Sequence, residues 1–138
     1  MILLFTYGTL KSGFCNAHIN TGERVPGRYR TRDRLPFYLM NDGHVPCVIL
    51  QPGDGHPVMG ELYRASPEAL AAMDRLERIG EAGGYTRATV ELERVNGKAP
   101  EFVTADIYVR LPADVQPGEQ RSEWLSEYTL EHEVKFVW

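Results

Sequence analysis

The sequence is poor in the residues that build disulfide frameworks and metal sites. Its 138 residues include two cysteines and four histidines, and neither type is spaced as a pair of metal ligands. Cys15 and Cys47 lie far apart and lack C-x-x-C spacing, so we expect both thiols to remain reduced. The sequence therefore predicts no metal site.

Long apolar runs and clusters of basic residues are also missing. The apolar N-terminus, residues 1–5, is too short to span a membrane and has no basic flank or cleavage site of a signal peptide. We therefore expect a cytoplasmic protein with no membrane partner. A net charge of −4 without a basic segment argues against nucleic acid as a partner.

Four arginines at alternate positions are the nearest approach to a basic patch. They are Arg28, Arg30, Arg32 and Arg34, and Asp33 interrupts the run. We interpret them as the solvent face of a strand or loop, with a basic contact patch as the alternative.

What is present is the composition of an ordinary globular protein, with 43% hydrophobic and 25% charged residues. The length predicts a single domain, residues 1–138, with a core over about 1–111. The polar C-terminal tail, 112–138, contains an amphipathic segment around Trp124, Leu125 and Tyr128.

Short strands separated by turn residues dominate the pattern. Alternating residues predict a hairpin of two longer strands that turns at Asn96-Gly97. One helix is expected, because Ser66 is a good N-cap, Pro67 suits the first turn, and an apolar stripe follows toward an end near Gly80. The fold class is α+β, a small mixed and mostly antiparallel β-barrel with a few surrounding helices. The predicted strands are 2–7, 36–40, 47–50, 58–63, 86–95 and 102–109, with a helical turn in 14–19.

The first strand runs into a glycine-containing loop, residues 7–13. Backbone N–H groups and hydroxyls in such a loop can hold an anion or a carbonyl group.

Glu77 is a carboxylate on the wrong side of its helix. On a helical wheel it falls within the apolar sector, in the last turn. Burial and the negative end of the helix dipole both disfavour its ionised form, so Glu77 could act as a base near neutral pH. The alternative is that Glu77 frays outward or pairs with Arg78 or Arg87.

Four short motifs follow one another along the chain: Phe-Thr-Tyr-Gly-Thr-Leu at 5–10 with Gly13 and Asn16, Gly-Glu-Leu-Tyr at 60–63, Met-Asp-Arg-Leu-Glu at 73–77, and Tyr-Thr-Arg at 85–87. In this order they resemble the gamma-glutamylcyclotransferase-like superfamily. Residues 35–39 and Val45-Pro46 are also similar to its gamma-glutamylamine cyclotransferase branch.

The resemblance implies both a fold and a chemistry. The implied fold is a small mixed barrel with helices packed around it. The implied reaction cyclises a gamma-glutamyl amine or amino acid to 5-oxoproline and releases the free amine, with Glu77 as the acid/base and no metal, cofactor or enzyme nucleophile. The implied partner is a small gamma-glutamyl substrate, and the chain is expected to be a monomer or weak homodimer. The substrate-binding residues expected with Glu77 are Tyr7, Gly8, Thr9, Leu10 and Tyr85.

Some roles remain open at this point. Tyr85 could equally be a packing residue, and Arg87 fits an ion pair better than a substrate clamp. Cys15 is expected to be a small buried residue rather than a nucleophile. The superfamily usually has Gly directly after the catalytic Glu, where this chain has Arg78. The alternative function is a binding or regulatory module that keeps the fold without turnover.

Overall fold

The computed structural model of the chain describes residues 1–40, 45–95, 97 and 101–133. A closed barrel with the strand order β1-β5-β2-β6-β7 forms its centre, and β3 pairs with β4 in a separate two-stranded sheet. The strands are β1 (Ile2–Thr6), β2 (Glu23–Thr31), β3 (Phe37–Met40), β4 (Val45–Val48), β5 (Met59–Ala65), β6 (Thr86–Val95) and β7 (Phe102–Val109). The helices are α1 (Pro67–Leu76) and α2 (Leu130–Glu133), with 3₁₀ turns at Ala17–Ile19 and Pro112–Asp114.

The barrel is mixed, as the sequence predicts. β1 pairs with β7 in parallel, and the other neighbouring strands of the barrel are antiparallel. β6 and β7 form the expected hairpin, with Thr86 opposite Val109 and Glu93 opposite Phe102. The turn expected at Asn96-Gly97 lies partly outside the described residues. The α+β barrel class is therefore confirmed.

A glycine allows the strands to approach closely where β1 ends. A Cβ atom at Gly60 would collide with the Thr6 carbonyl oxygen and with the Phe5 ring. Glycine is therefore required at this point of β5. It lets β5 pack closely against the end of β1, where the loop of residues 7–13 begins.

The alternating arginines lie on the solvent side of the barrel. The side chains of Arg28, Arg30 and Arg32 are exposed, and each lies beside a glutamate. This placement supports their interpretation as a solvent face.

Helix α1 begins as predicted but ends earlier. The Ser66 hydroxyl accepts a hydrogen bond from the Ala69 N–H at 3.1 Å, and Pro67 is the first helical residue. The last helical residue is Leu76, not a residue near Gly80. Arg78 ends the helix by taking a left-handed backbone conformation, with φ of 58°.

Two hydrogen bonds fix this helix end. The Arg78 N–H donates to the Arg75 carbonyl at 3.2 Å, and the Ile79 N–H donates to the Asp74 carbonyl at 3.1 Å. Together they form a Schellman motif, in which the left-handed residue is usually glycine. Glu77 is therefore the C-cap residue, just before the chain turns away.

The tail contributes to the core, which corrects the predicted core boundary near residue 111. Tyr128 is completely buried among the core residues. The Leu125 N–H donates to the Phe37 carbonyl at 2.6 Å, and the Met59 N–H donates to the Ser126 carbonyl at 2.8 Å. The tail thus belongs to the barrel packing. Neither described helix has the length and apolar character needed to cross a membrane.

Candidate functional site

All six residues predicted for the site line one cleft. It opens at the end of β1, between the loop that follows this strand, the C-terminal end of α1 and the start of β4. Its volume is about 440 Å³ with the open mouth included.

Glu77 lies on the cleft wall with no compensating partner. Its carboxylate makes no hydrogen bond or ion pair with any residue in the described part of the chain. Burial, and secondarily the negative charge of Asp74, raise the pKa of Glu77 from 4.5 to about 8. Neither alternative pairing occurs, since Arg78 lies beside Glu81 at 3.8 Å and Arg87 binds Asp74.

Asp74, one helical turn before Glu77, has the opposite environment. Its carboxylate accepts hydrogen bonds from the Tyr108 hydroxyl at 2.7 Å and from the Arg87 guanidinium at 2.6 Å. Arg87 also pairs with Asp106 at 3.2 Å. Arg87 is therefore a structural ion-pair residue, as the sequence favours, and it fixes Asp74 as a charged neighbour of Glu77.

The loop after β1 presents backbone N–H groups without backbone acceptors. Within the described ranges, the N–H groups of Gly8, Thr9 and Leu10 donate to no carbonyl. Asn16 holds the loop, because its N–H donates to the Thr9 carbonyl and its side-chain amide donates to the Thr9 hydroxyl, both at 3.0 Å. Gly8 lies tightly against β4, since a Cβ atom there would lie 3.0 Å from Cγ of Pro46.

Tyr7 and Tyr85 form walls of the cleft and have their hydroxyls occupied. The Tyr7 hydroxyl donates to the Tyr108 carbonyl at 2.6 Å, and the Tyr85 hydroxyl donates to the Pro46 carbonyl. Burial raises the pKa of both hydroxyls well above the usual value. The Tyr85 N–H also donates to the Glu77 carbonyl at 2.9 Å, and this hydrogen bond anchors the backbone of Glu77.

The structure adds residues that the sequence did not assign to the site. Thr6, Asn16 and Tyr108 also line the cleft. The motif match already included Asn16, but only the fold brings Tyr108 of β7 to the end of α1. Cys15 is exposed rather than buried, which corrects the expectation from the sequence. Partial desolvation of the sulfur first, and Glu133 second, raise the pKa of the Cys15 thiol to about 11, which makes it a poor nucleophile.

Comparison with known families identifies the chain. The model of the family described as "Gamma-glutamyl cyclotransferase, AIG2-like" matches residues 4–127. The chain therefore belongs to this family, and the resemblance drawn from the four motifs is confirmed.

Individual relatives agree with the family assignment. A protein of Arabidopsis thaliana described as a candidate gamma-glutamylcyclotransferase is 39% identical over 97 residues, which are 65% of this chain and 50% of the relative. The gamma-glutamylaminecyclotransferase of Bos taurus is 34% identical over 107 residues, 72% of this chain and 62% of that protein. The chain thus spans between half and two thirds of these two relatives. The branch indicated by residues 35–39 and 45–46 is supported.

A solved structure shares the fold across the whole chain. The crystal structure of an AIG2-like protein from Mus musculus superposes with a TM-score of 0.83 at 24% sequence identity. The match covers 100% of this chain and 95% of the mouse chain.

Proposed function

We propose that this protein cyclises a gamma-glutamyl amine or amino acid to 5-oxoproline and releases the free amine. The observation that carries the proposal is the unpaired Glu77 carboxyl in the same cleft as a loop with free N–H groups. The family assignment supports this class of reaction.

Glu77 is proposed as the general acid/base. The nucleophile is the substrate's own alpha-amine, which must lose a proton before it attacks the gamma-carbonyl carbon. A carboxyl group whose pKa is about 8 can take a proton from the substrate's alpha-ammonium group near neutral pH and can later return it. As the new ring C–N bond forms and the amide C–N bond breaks, the proton passes from Glu77 to the departing amine.

The loop is proposed to hold the substrate's alpha-carboxylate. The N–H groups of Gly8, Thr9 and Leu10 suit an anion. Because the Thr9 hydroxyl oxygen already accepts a hydrogen bond from Asn16, its own hydrogen is free to donate to the substrate. Holding the substrate folded for ring closure is mainly positioning, which contributes up to roughly 7–11 kcal/mol in favourable intramolecular systems.

The substrate class is proposed to be gamma-glutamyl amines rather than gamma-glutamyl amino acids. The branch similarity supports this preference. Glu77 and the net charge of −4 also disfavour a leaving group that carries its own carboxylate beside the reacting bond. Arg78, which would oppose this effect, is exposed and lies beside Glu81.

A substrate panel tests the proposal. Purified protein is incubated with gamma-glutamyl amines and amino acids, and 5-oxoproline is assayed. We expect a higher kcat/KM for gamma-glutamyl-lysine joined through the side-chain amine than for gamma-glutamyl-alanine. A higher value for the alanine compound would remove the amine preference and leave the cyclotransferase proposal intact. Binding of these compounds without any 5-oxoproline would favour the alternative, a binding or regulatory module.

A further inference from the structure

We propose that the Thr6 hydroxyl is a further substrate-binding group, which donates a hydrogen bond to an oxygen atom of the bound gamma-glutamyl head. This inference rests on the proposed function. It concerns a residue that the motif match left without a role.

The position of Thr6 directs its side chain toward the cleft. Side chains alternate along a strand, so Thr6 shares the face of β1 that carries Leu4. Leu4 belongs to the buried cluster that also contains Met73 of α1, so this face of the strand is turned toward the helix. Thr6 follows Leu4 by two residues on the same face of β1, near the end of α1 where Glu77 lies. It also lines the cleft.

The Thr6 hydroxyl has no partner in the free protein. Thr6 is 3% exposed, and its Oγ1 makes no hydrogen bond with any residue of the described ranges. Thr31 shows the usual arrangement of a buried threonine, because its hydroxyl donates to the Asp33 carbonyl at 2.7 Å and accepts from the Val58 N–H at 2.9 Å. An unpaired buried hydroxyl destabilises a folded chain unless a bound group satisfies it.

Location distinguishes Thr6 from the other buried atoms that lack partners. Among the described residues those are Nε of Arg110 and the hydroxyl of Tyr128, and neither residue lines the cleft. Thr6 and the loop residues with free N–H groups, in contrast, line the same cleft. All of them are donors, and together they suit the oxygen atoms of a gamma-glutamyl group.

The test compares the variants Thr6→Val and Tyr128→Phe, each of which removes one unpaired hydroxyl with little change in shape. Calorimetric titration with 5-oxoproline, steady-state kinetics with the best substrate and thermal denaturation are measured for both. We expect Thr6→Val to weaken 5-oxoproline binding and raise KM by about tenfold, at a Tm equal to or above that of the wild type. Tyr128→Phe should also keep or raise the Tm, with KM unchanged.

Two further variants make the result independent of how well valine is accommodated. Thr6→Ser keeps the hydroxyl and should bind 5-oxoproline within about threefold of the wild type, whereas Thr6→Ala should lose about as much affinity as Thr6→Val. Equal affinity and KM in wild type, Thr6→Val and Thr6→Ala would overturn the inference. A wild-type protein that neither binds nor releases 5-oxoproline would instead overturn the proposed function, and this inference with it.

Discussion

On the outer face of β2 and just beyond its end, Arg28, Arg30 and Arg32 each lie within 3.2 Å of a glutamate carboxylate. In the cleft, the Glu77 carboxylate has no such partner among the described residues, although Asp74 lies only one helical turn away. The outer face, defined here as these three arginines with Glu91, Glu93 and Glu127, is open to solvent, fully or in part, and its charges are paired.

The difference shows where charge in this molecule can do chemistry. Exposed ion pairs contribute about 0–1 kcal/mol each. A partly buried carboxylate without a partner has a pKa moved toward neutrality, so it can both take and return a proton. The cleft therefore has fewer charged groups than the outer face, but its Glu77 carboxyl group is more reactive than any of the paired charges.

The largest expected effect follows from removing that charge. Glu77→Gln should fold normally and lose cyclisation by on the order of 100-fold or more, because no other group in the cleft replaces the base. The assay is kcat/KM from released 5-oxoproline. The matched control is Glu81→Gln, an exposed carboxylate beside Arg78, which should stay within about twofold. Near-normal turnover in a folded Glu77→Gln would remove Glu77 from the mechanism.

A several-fold change in kcat/KM on the rising limb of its pH profile is expected from Asp74→Asn. The base must be deprotonated, so activity should rise with pH through the Glu77 pKa of about 8. Because the Asp74 charge raises this pKa, its removal should lower it and shift the rising limb to lower pH. Asp106→Asn serves as the control, since it alters the other carboxylate on Arg87 and should leave the limb in place. An unmoved limb in Asp74→Asn would mean that Glu77 does not set the profile.

The same carboxylate should lower the stability of the protein at high pH. The pKa of Glu77 is raised on folding, so its contribution to stability is complete below pH 4.5 and is lost as pH rises through about 8. Glu77→Gln lacks this loss. Its free energy of unfolding relative to the wild type should therefore increase between pH 5 and pH 9, by on the order of 4 kcal/mol, because each unit of pKa shift corresponds to about 1.4 kcal/mol. Urea denaturation at these two pH values measures it, and a constant difference would contradict the raised pKa.

The sequence predicted the local features of the site and missed those that depend on distant contacts. The cap at Ser66, the first strand and the inward lean of Glu77 are set by neighbouring residues, and the structure has all three. The partners of Asp74 come from β6 and β7, so no local pattern reveals them. Tyr128 looked like part of a polar tail because its burial depends on the barrel around it. The left-handed conformation of Arg78 was also missed, although the glycine usual at this position in the superfamily is the residue that favours this conformation.

Arg78 gives a smaller and local prediction for the cleft. A non-glycine residue with φ of 58° is strained, so Arg78→Gly should stabilise the protein by about 0.5–1 kcal/mol in urea denaturation. The control is Arg75→Gly, which lies within exposed helix and should destabilise by about 1 kcal/mol. If both changes destabilise equally, the helix does not end in the Schellman motif described.

The smallest effect is expected on the outer face, and it completes the comparison. Glu93→Gln removes the partly exposed partner of Arg30, 3.2 Å away, and should change the free energy of unfolding by less than about 0.5 kcal/mol, with less effect still in high salt. Its kcat/KM should equal that of the wild type, because the pair lies outside the cleft. Glu77→Gln and Glu93→Gln make the same chemical change at two carboxylates. The difference between their effects on kcat/KM therefore shows how far the reaction depends on the carboxylate in the cleft. A several-fold loss of kcat/KM in Glu93→Gln would show that the charged outer face also acts on the substrate, and the distinction between the two regions would then fail.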